Sequence, residues 1–195
     1  MIPVLISSAG RRGALVQTFR AAGAVVHGCD MQPDLSSGCL LADQAHQVPR
    51  CSAPDFIDRI EEIVRGNGIR LIVPTIDTEL PTYAEAAPRL AAAGAYVHVS
   101  PPEVIAVVRD KTRTMAVLAA AGVPVPETCS EGELRGYPDR LGWPVFGKPV
   151  GGSASRGLGT YASLADLPDS FAEPMMFQPV LKGPDYLETV RAQLR

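Results

Sequence analysis

The chain has 195 residues, 46% hydrophobic and 20% charged, and 18 basic against 21 acidic side chains give a formal charge of −3. That length can bury one full core or two small ones, and the near-average composition excludes disordered, collagen-like and coiled-coil classes. Acidic residues are spread along the chain, leaving no basic footprint for nucleic acid.

Cys29, Cys39, Cys51 and Cys129 lie too far apart for a metal knuckle or a compact disulfide framework and read as reduced thiols. The apolar start is too short for a signal segment, and Arg11 and Arg12 follow closely. The longest apolar run, 115–126, is interrupted by Gly122 and Pro124 and is too short for a bilayer. These features predict a cytoplasmic protein with no membrane role.

In chain order, residues 3–7 read as a short buried strand, and Leu15, Val16 and Phe19 mark a helix over 13–22 closed by Gly23. A second strand covers 24–29 with Asp30 at its carboxyl end, and 45–48 is a short third strand. Phe56, Ile57, Ile60, Ile63 and Val64 share one face of a helix over 54–65, stopped by Gly66-Asn67-Gly68. Residues 70–74 form a fourth strand, 80–93 an alanine-rich helix and 95–99 a fifth strand, with Ser100 as N-cap of the next helix. This alternation predicts an α/β, doubly wound parallel sheet.

Past residue 109 the pattern changes. A helix covers 111–121, an extended connector 123–126, a strand 143–148, a Gly/Ser loop 151–159, an extended pair 160–161, a strand 175–181 and the start of another 186–190. Short antiparallel strands with few helices predict a second, α+β unit. The expected domains are therefore 1–108 and 109–195.

Fifteen basic residues are arginine and three are lysine, at 111, 148 and 182. In such a chain a lysine marks a candidate site for a compact point charge. The loop over 151–159, with Lys148 just before it, has the composition to present backbone N–H groups to phosphate oxygens. An exposed hairpin tip accounts for the loop alone equally well, and Lys182 reads as a solvated surface lysine. His27, His46 and His98 lack metal-ligand spacing.

Phe146-Gly147-Lys148-Pro149, followed by Gly151-Gly152-Ser153-Ala154-Ser155-Arg156-Gly157, resembles the strand, Lys-Pro and Gly/Ser loop of the ATP-grasp superfamily. Arg109-Asp110-Lys111 resembles the motif opening that family's first helix after its N-terminal domain. Gly122-Val123-Pro124-Val125-Pro126 is similar to its connector, and Phe177-Gln178-Pro179-Val180-Leu181 to its hinge. In the first half, Ser7-Ser8-Ala9-Gly10-Arg11-Arg12 and Val73-Pro74-Thr75-Ile76-Asp77-Thr78-Glu79 resemble the pre-ATP-grasp loops of short proteins similar to the carbamoyl phosphate synthase large subunit.

That resemblance implies a pre-ATP-grasp domain followed by a partial ATP-grasp domain, in a chain that stops before the family fold is complete. It implies an enzyme that joins a small-molecule carboxylate to an amine or ammonia through an acyl phosphate. ATP would be held by Lys111, Lys148, Gly152, Ser153 and Ser155, with adenine at Gln178, Val180 and Leu181 and ribose at Asp185. Mg2+ ligands would lie beyond residue 195. Pro179 and Leu187-Glu188-Thr189 depart from the family pattern. Arg11, Arg12, Asp77 and Glu79 fall at carboxyl ends of expected strands and are candidates to hold the acceptor substrate, although Asp77 also suits a helix cap.

Two alternatives stay open. One is a non-catalytic or partner-dependent nucleotide-binding subunit, with a homodimer or a partner chain. The other is an NAD-type Rossmann protein with Asp30 on the ribose, disfavoured because Ser8-Ala9-Gly10-Arg11-Arg12-Gly13 is not G-x-G-x-x-G.

Overall fold

A computed structural model describes residues 1–152 and 154–181, so the expected strand at 186–190 and residues Ser153, Lys182 and Asp185 lie outside the described residues. The chain divides into two compact units, Met1–Ala106 and a second from Val107 onward. Among the described residues no helix is long and apolar enough to cross a membrane.

The first unit is an α/β layer structure on a five-stranded, wholly parallel sheet in the order β3-β2-β1-β4-β5. Its strands are β1 (Pro3–Ser7), β2 (Val25–Asp30), β3 (Gln44–Gln47), β4 (Leu71–Pro74) and β5 (Tyr96–Val97). The chain winds outward through β1, β2 and β3, then returns to the other side of β1, so the switch point lies between β1 and β4. In such sheets ligands bind beyond the carboxyl ends of the strands at that point.

Alternation along β1 sorts the core. Leu5 points into one cluster with Phe56, Ile60 and Ile63 of α3 (Phe56–Asn67) and Tyr83 and Leu90 of α4 (Leu80–Ala92). Val4 and Ile6 point to the other face, with Val16 of α1 (Gly13–Ala21) and Cys39 of α2 (Ser37–Leu41). A strand buried on both faces reads as one apolar run, as expected of a parallel sheet covered on both sides.

The sequence pattern misses α2, because Ser-Gly-Cys-Leu-Leu is too short to show helical periodicity. Tertiary contacts make it instead. Ser36 Oγ caps the helix by accepting from Cys39 N at 3.2 Å, and Gly38 N donates to Gly10 O at 2.9 Å. A Cβ on Gly38 would fall 2.5 Å from Ala9 O, so only glycine permits this approach. The fifth strand is two residues long rather than the expected 95–99, since Val99 N turns back to Val97 O and prolines follow. Helix α4 continues through Pro88, where propensity alone expects a break.

The second unit carries an antiparallel sheet in the order β6-β9-β7-β8, from β6 (Cys129–Ser130), β7 (Val145–Pro149), β8 (Gly159–Tyr161) and β9 (Met175–Pro179). The division between the units falls within α5 (Pro102–Val108); α6 (Lys111–Ala120) precedes the sheet, and α7 (Glu131–Gly136) follows β6. The pattern misses α7 as well. Its signal was the capping box in Ser130-Glu131-Gly132-Glu133, in which Ser130 and Glu133 bond to each other's backbone N–H.

One face of this sheet packs Val145, Met175 and Phe177 against Leu134 and Leu167. Gly147 belongs to that face; a Cβ there would meet the Phe177 ring at 2.7 Å, so the aromatic ring occupies the space glycine leaves. The register pairs Phe146 with Gln178 and Lys148 with Met176 on the opposite face. Strand alternation therefore directs Lys148 away from the Leu134–Phe177 core.

Candidate functional site: a dicationic pocket and a strand-end cleft

The pocket of the second unit begins with a helix cap. Asp110 Oδ1 accepts from Thr112 N at 2.9 Å and Arg113 N at 3.1 Å, and these bonds, the Thr112 hydroxyl first among them, hold its carboxyl below the usual range. The cap makes Lys111 the first residue of α6. Lys111 N donates to Val150 O at 3.2 Å, and its Nζ donates to Pro149 O (3.0 Å), Val150 O (3.2 Å) and Gly152 O (2.6 Å). An ammonium has three donors, so all of them fasten the start of the Gly-rich loop.

Lys148, from β7, is half-buried and has no hydrogen-bond or ion-pair partner among the described residues. Burial, and secondarily the Lys111 charge, push its pKa below the ordinary lysine value. Both lysines and Arg156 border a pocket of about 280 Å³ with Phe146, Pro149, Gly152, Ala154, Ser155 and Leu158. Among the described residues no carboxylate lines it. Desolvated like charges gathered without an acid are unfavourable by themselves, and a polyanion is the ligand class that reverses the balance. In the loop, Ala154 and Ser155 hold φ of 55° and 56°, a left-handed backbone costly for L-residues that persists mainly where function uses it.

Of the expected nucleotide contacts, Lys111, Lys148, Gly152 and Ser155 come together here. Gln178, Val180 and Leu181 do not line this pocket. Gln178 is buried and donates from Nε2 to Thr128 Oγ1 at 2.9 Å. The Val180 N–H is taken by Pro144 O at 3.3 Å, Pro179 has no N–H, and Leu181 is exposed. The strand ends at Pro179 rather than at 181.

In the first unit, the acceptor candidate Glu79 lies inside the protein. It is fully buried, and its Oε2 accepts from Ser7 Oγ at 2.8 Å and Ser8 Oγ at 2.7 Å. Its Oε1 accepts from Thr75 N at 2.7 Å and Ile76 N at 3.2 Å. Tyr83 OH extends the network by donating to Ser7 Oγ at 2.8 Å, and Thr75 Oγ1 donates to the Ser7 and Ser8 carbonyls. Glu79 thus ties the turn after β1 to the turn after β4. Arg12 joins the same two turns through Nη2 to Thr75 O at 3.1 Å, while Arg11 is exposed and Asp77 opens a 3-10 turn at Asp77–Glu79.

The turn after β1 also bears on the NAD alternative. Gly10 N donates to Asp30 Oδ2 at 3.0 Å, Ala9 N to Cys29 O at 3.0 Å and Arg12 N to Ala9 O at 2.7 Å. These amides would have to point at a pyrophosphate; they are committed inside the protein instead, and Asp30 ties the turn. A cleft of about 550 Å³ nonetheless opens beyond β1 to β4, lined among others by Asp30, Met31, Arg50, Cys51, Ile76 and Thr78. Arg50 carries no sequence signal, because it sits in a loop with no motif around it. Among the described residues no group of three His, Cys, Asp or Glu is arranged to hold a metal ion.

Residues 4–98 match the family model for the PylC-like, N-terminal domain. A D-alanine–D-alanine ligase from Bordetella avium (strain 197N) is 33% identical over 85 residues, 42% of this chain and 27% of that ligase. N5-carboxyaminoimidazole ribonucleotide synthetase from Thermotoga maritima shares the fold with a TM-score of 0.69 at 20% identity, over 93% of this chain and 46% of that one. The Staphylococcus aureus synthetase complexed with ADP gives 0.73 at 17%, over 93% and 48%. L-amino acid ligase from Bacillus licheniformis gives 0.72 at 16%, over 94% and 45%. The chain therefore spans about a quarter of the curated relative and under half of these solved chains. The five-stranded parallel sheet is that of the pre-ATP-grasp N-terminal domain of such ligases.

Proposed function

We propose that this chain carries the nucleotide-phosphate half of an ATP-dependent carboxylate–amine ligase of the ATP-grasp type. In that reaction a carboxylate takes the γ-phosphoryl group of ATP to give an acyl phosphate and ADP. The amine or ammonia then attacks the acyl carbon, and phosphate leaves. Within that class, the loops Ser7 to Arg12 and Val73 to Glu79 support a carbamoyl phosphate synthase large-subunit-like subtype.

The observation that carries the reading is the pair Lys111 and Lys148, with Arg156, around one pocket that no carboxylate of the described residues lines, next to a Gly-rich loop. Lys148 contributes an unengaged, partly desolvated cation to a phosphate oxygen, where its field is least screened by water. Lys111 orients the loop, and exchanging one of its three carbonyls for a phosphate oxygen would couple loop position to nucleotide binding. Gly152 and Ser155 lie on the same rim, Ser155 with a hydroxyl donor. Two of the relatives named above are amino-acid ligases by name, and a synthetase among them was solved with ADP, which supports the class of reaction. No step is assigned to magnesium, since among the described residues no group of three His, Cys, Asp or Glu is arranged to hold a metal ion.

The test is calorimetric titration of ATP into the wild-type chain and Lys148→Ala, followed by phosphate release with ATP, magnesium, ammonia and a panel of amino acids. Loss of a charge-assisted bond predicts weaker binding by about 1 to 3 kcal/mol. Equal affinity in both proteins would remove the assignment.

A further inference from the structure

The cleft beyond the carboxyl ends of β1 to β4 has a lining that divides by chemistry. Met31, Val48, Pro49, Phe56 and Ile76 make its apolar part, and Asp30 and Arg50 bring one charge of each sign. Asp30 is held in place, with Oδ2 accepting from Gly10 N at 3.0 Å and Oδ1 from Gln32 N at 3.1 Å. Each carboxylate oxygen keeps acceptor capacity beyond those single bonds. The Arg50 guanidinium is exposed and has no hydrogen-bond or ion-pair partner among the described residues, so its planar fork is available to a carboxylate.

We propose that this cleft binds a free α-amino acid with an apolar side chain. The carboxylate lies on Arg50, the ammonium on Asp30, and the side chain against Met31, Pro49 and Ile76. A lone anion is disfavoured by Asp30, and a lone amine by Arg50; a zwitterion meets both. A dinucleotide would use Asp30 for ribose but finds the amides of the turn after β1 already committed. As a substrate site the cleft rests on the ligase reading, because it supplies one of the two molecules to be joined; as a binding site it stands on this lining alone.

The experiment titrates the 195-residue chain with L-leucine, L-leucinamide, N-acetyl-L-leucine and NAD, followed by calorimetry and by shifts of backbone amide resonances. Leucine should bind and shift resonances around Asp30, Arg50 and Ile76, with the amide and the N-acetyl derivative at least about tenfold weaker, each having lost one charge-assisted contact. Arg50→Ala should weaken leucine to the same degree. Asp30→Asn is read only if its melting temperature shows an intact fold, so Arg50→Ala is the deciding variant. Unchanged binding by Arg50→Ala, equal binding of the blocked analogues, stronger binding of NAD, or no binding of leucine would each overturn the proposal. ATP affinity is measured on the same samples. Leucine binding without ATP binding would sink the ligase reading and leave this site standing, and the reverse result would do the opposite.

Discussion

Two buried or half-buried charges of this protein behave in opposite ways. Glu79 is enclosed completely, and four donors meet its two oxygens. Lys148 is partly desolvated, next to another cation, and is met by no acceptor among the described residues. Both were singled out in the sequence as ligand contacts. A charge whose hydrogen-bonding capacity is filled from within the chain is tied into the fold, while a charge left unsatisfied at a pocket wall stays open to a group from outside. The same contrast separates Lys111, whose ammonium is met by three loop carbonyls, from Lys148.

The sharpest break of that comparison is Glu79→Ala. It strands the Ser7 and Ser8 hydroxyls and the Thr75 and Ile76 amides, so the chain should lose on the order of 3 kcal/mol in urea unfolding. ATP affinity of the protein that remains folded should be unchanged. A stability loss below about 1 kcal/mol would show that the network is not structural.

Lys148→Ala should do the converse, leaving urea stability within about 0.5 kcal/mol of wild type while weakening ATP by about 1 to 3 kcal/mol. Removing a desolvated like charge beside Lys111 can even stabilise the fold, which would sharpen the contrast. Lys111→Met should weaken both properties, since one side chain serves loop and ligand.

A third test uses the His27–His46 pair, whose rings are within 4° of parallel with centroids 5.2 Å apart and meet edge to edge, Nδ1 to Nε2, at 2.9 Å across β2 and β3. Burial lowers both pKa values; for His27 the Asp43 charge opposes this, and for His46 the charges of His27 and Arg59 add to it. Between the lowered folded values and the ordinary value the unfolded chain binds more protons. The stabilisation is therefore complete above the unfolded value and is lost as pH falls through the folded ones. Melting temperature should drop by a few degrees between about pH 7.5 and pH 5.5, and His46→Gln should flatten that dependence. ATP binding through the lysine pocket should not follow it.

The smallest effect is kinetic. Trypsin should cut after Arg156, exposed in the left-handed stretch of the loop, before it cuts at Arg59 or Arg70 of the first unit. ATP should slow that first cut by ordering the loop, and first cleavage at Arg59 would reverse the expected ranking of the two regions.

Much of this molecule was determined by sequence alone, and the reason is periodicity. Apolar runs such as Val4-Leu5-Ile6 and the face Phe56, Ile60, Ile63 and Val64 identify strands and helices because backbone geometry repeats every two or 3.6 residues. Lys148 before its Gly-rich loop was legible for a similar reason, since strand, cation and loop are contiguous in the chain. Short elements were decided by tertiary contacts: α2 exists because Gly38 can approach Ala9 and bond Gly10. So was the role of every charge. Whether Glu79 reaches a ligand or Ser7, 72 positions away in the chain, depends on which turns the sheet brings together. Position in a motif states what a side chain is able to bind, and only the packed structure fills or leaves open its hydrogen bonds.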